Sequence, residues 1–175
     1  MCIRDRVNDR FGDLSPEGHE QIASATRSTL AKLQALDPVD AIDEVTKTDL
    51  SAELSLDLEL HDAKWHLRDL NVIASAPQDV RSAFDLMPTA TADDWSVIAT
   101  RLAAVPDALR GYTETLRAGI AVGVTPARRQ VVEVATQIDR YTADDGFFAA
   151  FVAEATPREG NLPASLARTP VSYTH

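Results

Sequence analysis

Leu50-Ser-Ala-Glu-Leu-Ser-Leu-Asp-Leu-Glu-Leu-His-Asp62 decides the fold class. Leu54, Leu56, Leu58 and Leu60 alternate with Ser55, Asp57 and Glu59, which is the period of two of a half-buried strand. The same run also reads at helical spacing, because Leu50, Leu54, Leu58, His61 and Trp65 form a stripe at steps of three and four. Asp and Glu favour helix over strand, no Gly or Pro interrupts the run, and no turn pair makes a hairpin of it. The stretch is therefore read as helix, and the chain as all-α.

Upstream, Ser15-Pro16-Glu17 is a helix start: a serine cap, proline in the first turn, and acid near the positive end of the dipole. Ile22, Ala25, Thr29, Leu30, Leu33 and Leu36 carry that helix to about Leu36. Asp37-Pro38 repeats the device and opens a second helix, in which Asp40, Asp43, Glu44, Asp49, Glu53, Asp57, Glu59 and Asp62 face one lysine, Lys47.

Downstream, the pattern breaks between Leu67 and Ser75. Ala76-Pro77 starts a short helix through about Leu86, which Met87-Pro88 ends. Thr91 caps the next, with Asp93 and Asp94 in its first turn and Trp95, Ile98, Leu102 and Val105 inward. Pro106 marks a kink or a fresh start, after which Leu109, Tyr112, Leu116 and Ile120 keep the period. Gly119 and Gly123 close that segment. Thr125-Pro126 opens another helix with Val131, Val134, Ile138 and Tyr141 inward. Asp145-Gly146 precedes the apolar cluster Phe147, Phe148, Phe151 and Val152. Thr156–Asn161 reads as loop, and a further helix is expected from Leu162. The whole is a multi-helix array or bundle of about six to seven helices, expected to be an incomplete fragment of a larger helical protein.

Both ends are expected to be foreign. Met1–Asp5 and Val171–His175 can be encoded by strings that are reverse complements of each other, and both match the transposon end used in preparing sequencing libraries. Met1–Arg6 and Val171–His175 are read as translated adapter and set apart from fold reasoning. The insert is then Val7–Pro170, 7–170 being the helical domain.

The 175 residues are about one domain's worth of chain. The formal net charge is −10, and setting aside Arg4, Asp5 and Arg6 makes it one unit more negative. Such a surface argues against nucleic acid or an anionic membrane as partner, since phosphates need clustered Lys and Arg. Arg128-Arg129 are too few for that. Cys2, the one cysteine, lies in the adapter, which leaves no disulfide, thiol nucleophile or cysteine–zinc site and favours a cytoplasmic setting. No apolar run approaches the ~20 residues of a membrane span.

Catalytic signals are absent from the insert. His61 and His66 are five apart, not the four of a zinc helix, and are expected on different faces. Asp57 with His61 and Asp62 with His66 read as ordinary helix pairs. Neither a glycine-rich phosphate loop nor a nucleophile elbow occurs. Catalytic residues and metal ligands are thus assigned to none. Asp69 and Asn71 lie where the helix breaks, and their commonest role there is to satisfy freed backbone groups.

Four pieces in order, LNVIASAPQ (70–78), FDLMPTATADDW (84–95), VPDALRGYTETLRAG (105–119) and ARRQV (127–131), resemble the N-terminal portion of the DUF885 family. The resemblance implies a large, mostly helical bacterial protein several times longer than this chain. It also implies kinship with helical zinc metallopeptidases, whose His-Glu segment with Pro-Gly-His-His lies in the C-terminal part. That segment has no counterpart here, so no ligand or base transfers to any residue. The chain is then expected to be one wall of a hydrolase substrate groove, with Asp69, Asn71 and Gln78 the candidates to touch substrate. The implied partners are the missing C-terminal part of the same protein and, for the whole protein, a peptide substrate. The implied cofactor is zinc, held outside this chain. The alternative is a non-catalytic helical module whose acidic second helix meets a basic partner.

Overall fold

The computed structural model describes residues 9–153, 155, 163 and 164. The segments read as adapter lie outside them, as do the Thr156–Asn161 loop and the helix expected from Leu162, apart from Pro163 and Ala164. Every regular element among the described residues is helical, as the Leu50–Asp62 reading requires. Among the described residues there are six α-helices: α1 (Pro16–Gln34), α2 (Ala41–Asp62), α3 (Ala76–Asp85), α4 (Ala92–Ala121), α5 (Arg128–Thr142) and α6 (Phe147–Ala153). A four-residue 3₁₀ turn, Trp65–Arg68, follows α2.

Five of these helices have ten residues or more, so the expectation of about six to seven was slightly high. The main reason is Pro106, which lies inside α4 without dividing it. Proline forfeits one backbone bond and crowds the preceding turn. The buried residues on either side, Leu102, Val105, Ala108 and Tyr112, hold the helix together across the lost bond.

Two starts shift as well. The cap of α2 is Asp40 and not Asp37: its carboxylate accepts from the Ile42 and Asp43 amides, both at 2.9 Å. α5 begins at Arg128, with Ala127 as its cap in place of Thr125-Pro126. The other caps follow the sequence. Ser15 accepts from the Gly18 amide at 3.1 Å, and Thr91 and Asp94 exchange reciprocal side-chain-to-amide bonds at 2.8 and 3.1 Å.

The chain forms two compact units. One takes in Leu70–Tyr112, the described residues up to Gly12 and those from Pro126 onward. Its core is Val80, Phe84, Met87, Trp95, Ile98, Ala99, Leu102, Val105 and Phe148, with Phe11, Tyr141, Phe147 and Phe151 packed against it. Phe84 meets Phe148 and Phe11 edge-on, centroids 5.8 and 6.2 Å apart, the arrangement that aromatic quadrupoles favour. On α5 the inward reading holds for Val134, which is buried, but Val131 is 43% exposed.

The other unit takes in Asp13–Asp69 and Thr113–Thr125. α1 and α2 pack as a hairpin, and the Lys47 ammonium of α2 donates to the carbonyl of Gln34, the last residue of α1, and to that of Leu36 just beyond it. In the part of α4 that belongs to this unit the buried positions are Thr115 and Gly119, while Ile120, expected inward, is 66% exposed. Thr115 reaches the Leu14 carbonyl at 2.7 Å. A Cβ at Gly119 would come within 2.4 Å of the Leu67 carbonyl oxygen, so the absent side chain is what lets the Trp65–Arg68 turn lie against α4. The sequence pattern misses this stripe because its members are small or polar.

Candidate functional site

The break after the 3₁₀ turn is held by a polar knot. Asn71 uses its whole amide locally: Oδ1 accepts from the Ile73 and Ala74 amides at 2.9 and 2.8 Å, and Nδ2 donates to the Ala74 carbonyl at 2.7 Å. This is an Asx turn that stands in for helix capping. Gln78 reaches back from the first turn of α3, its Oε1 accepting from the Ser75 amide at 3.1 Å and from the Ser75 hydroxyl at 2.7 Å. Its Nε2 donates to Gln137 Oε1 at 2.6 Å.

Two glutamines of α5 complete the knot. Gln130 accepts the Val72 amide at 2.9 Å, and Gln137 donates to the Val72 carbonyl at 3.1 Å. Both polar groups of one irregular residue are thereby satisfied by side chains two helical turns apart. Gln130 and Gln137 lie on the α5 face that carries Val134, but a glutamine at helical spacing gives no signal of its own in the sequence.

Of the three candidates for substrate contact, Asn71 and Gln78 are brought together through Ser75. Asp69 stands in the other unit, where it closes the Trp65–Arg68 turn.

The second polar cluster belongs to that unit. α2 ends with Lys64 in the left-handed region, φ 58°, and this reversal folds the next residues back on the helix. His66 is therefore not on a different face from His61. Its ring stacks on His61, centroids 4.8 Å apart and planes 11° from parallel, and on the other side against His19 of α1, again at 4.8 Å, with planes at 28°. Three imidazoles from α1, α2 and the 3₁₀ turn form one stack with His66 in the middle.

The expected pairs Asp57–His61 and Asp62–His66 give way to contacts across the hairpin. His61 Nε2 lies 3.0 Å from a Glu20 carboxylate oxygen, while Arg27 holds Glu20 at 2.9 Å and Asp62 at 3.5 Å. Burial first, then the neighbouring His61, holds the His19 imidazole below the usual histidine range, against the pull of Asp13 and Asp69. Burial, then His19 and His61, does the same for His66, against Glu20. The hydrogen bonds from Arg27 and His61 keep the exposed Glu20 carboxyl below its ordinary value.

The stack is not a metal cradle. Nitrogen lone pairs lie in the ring plane, so nearly parallel stacked rings cannot converge on one ion. Among the described residues no group of three or more His, Cys, Asp or Glu is placed to hold a metal.

A family model described as "Bacterial protein of unknown function (DUF885)" matches residues 2–172. The chain belongs to the DUF885 family. A comparison with curated proteins finds no match. No helix of this DUF885 chain, among the described residues, is long and apolar enough to cross a membrane.

Proposed function

We propose that this DUF885 chain is the helical N-terminal part of a metallopeptidase-like hydrolase, shaping a substrate groove while other residues of the protein carry the metal chemistry. Family membership over residues 2–172 is the observation that supports the reading; hydrolysis of a peptide with zinc as the ion comes from the resemblance to helical zinc metallopeptidases. The described side chains do not fit a zinc ion, so no step of the reaction is assigned to them. Asn71 and Gln78 remain the proposed groove residues of their unit, and Asp69, in the other unit, is proposed to touch substrate on its own. Because Asn71 already spends its amide on the backbone and Gln78 its own on Ser75 and Gln137, their role in this reading is to fix the shape of the break that substrate meets. Asn71→Ala and Gln78→Ala in the full-length protein should raise KM for a peptide substrate ahead of any fall in kcat. Unchanged kinetics with a lowered Tm would leave these residues as caps alone.

A second reading rests on one feature of α2. The helix buries none of its residues, and Ile42, Val45, Leu56 and Leu60, at helical spacing, are 76%, 61%, 54% and 40% exposed. Asp49 and Glu53 lie on the same face between its two apolar ends, and Asp57 and Glu59 border it. Apolar residues interspersed with carboxylates suit a helix whose leucine or valine positions alternate with lysine or arginine. A synthetic helix of that pattern should bind the chain, weaken as salt rises, and lose affinity on Leu56→Asp. A salt-independent affinity or an unaffected Leu56→Asp variant would count against it.

A further inference from the structure

The three-histidine stack sits where α1, the end of α2 and the Trp65–Arg68 turn meet. Leu67, in the middle of the turn, is buried with its carbonyl against Gly119, while Trp65 beside it is half exposed and carries the Arg68 guanidinium 4.7 Å over its ring. The turn leaves α2 through a single left-handed residue, Lys64.

Neutral imidazoles stack with their faces in van der Waals contact. Two protonated imidazoles at the same 4.8 Å spacing repel, and His66 has a histidine on each face. The acids that could offset a positive stack are unevenly placed. From α1, Glu20 bonds the outer ring of His61 and is shared with Arg27; from α2, Asp62 is turned to Arg27. Asp13 and Asp69 act on His19. The turn itself brings Lys64 and Arg68, both positive, and the charged residues of the adjoining part of α4, Glu114 and Arg117, are exposed. The Glu20 carboxylate thus bonds an outer ring of the stack and not the central one.

We propose that the stack is a proton-operated latch that clasps the Trp65–Arg68 turn to the α1–α2 hairpin when neutral and releases it when acid charges His66 together with a neighbour. The inference is independent of the hydrolase and docking readings, since it concerns only this unit.

The test is an NMR titration of the 175-residue chain between about pH 7.5 and about pH 5, where histidine changes charge. It follows the assigned imidazole protons and the indole N–H of Trp65. The latch requires His19 and His66 to titrate in separate steps below a free histidine, and the Trp65 indole to shift with the lower of the two midpoints, where a second ring of the stack becomes charged. His66→Phe, which keeps a flat ring but takes no proton, should abolish the Trp65 shift; if that variant does not fold, the unmodified chain alone decides. Three histidines titrating as independent single sites at the ordinary value, or a Trp65 signal that stays still across the range, would overturn the proposal.

Discussion

His19 and His66 behave unlike histidines on a helix surface because burial and mutual proximity disfavour their charged forms. The sign of the effect on stability follows from linkage. Their folded pKa values lie below the ordinary 6.5, so just under that pH the unfolded chain binds more protons than the folded one. The contribution is fully present above pH 6.5, is lost as pH falls below it, and levels off once the folded rings also protonate. Glu20, with its carboxyl pKa depressed from 4.5, adds a loss in the same direction at lower pH. Thermal melts of the wild-type chain should therefore show Tm falling from pH 7 toward pH 5, and His66→Phe should flatten the upper part of that fall. A Tm that holds level or rises over the same range in the wild type would contradict the burial of these rings.

At the scale of elements, the joints decide more than the helices. Lys64 adopts a left-handed conformation that costs an L-residue roughly 1–2 kcal/mol and costs glycine nothing sterically. Glycine's extra freedom when unfolded gives back part of that gain. Lys64→Gly should thus raise stability by up to about 1 kcal/mol, measured by chemical denaturation, while Lys64→Val lowers it. Equal stability for the two variants would mean that the reversal after α2 is not formed in solution. The knot of Asn71, Ser75, Gln78, Gln130 and Gln137 does for the next joint what the left-handed residue does for this one. It supplies partners to backbone groups that leave a helix. Gln78→Ala, which leaves the buried Ser75 amide without its acceptor, should cost about 1–3 kcal/mol.

The whole molecule carries a net charge of −10, and much of it lies on α2, whose surface is open to solvent along its length. Carboxylates at this density repel one another through water, and added salt screens them over about 10 Å at 0.1 M. Raising sodium chloride from about 10 mM to about 150 mM should raise the Tm. A Tm that falls with salt would show the few ion pairs, such as Arg27 with Glu20 and Asp62, outweighing the repulsion. Surface pairs of that kind contribute little individually, which is why the screening term is expected to win.

What could be read without coordinates was the all-helical class, the inward line Trp95, Ile98, Leu102 and Val105, the caps at Ser15 and Thr91, and the family. Those features rest on forces that act within a turn or two of chain, so spacing and residue type are enough to show them. The stack of His19, His61 and His66 and the clamp of Gln130 and Gln137 on Val72 are different. Each draws on residues tens of positions apart: the stack exists because Lys64 reverses the chain, α1 and α2 fold back as a hairpin, and Gly119 leaves room for Leu67, and the clamp because α5 packs against α3. Read as one helix, His61 and His66 diverge; only the packing of three pieces of chain puts their rings face to face.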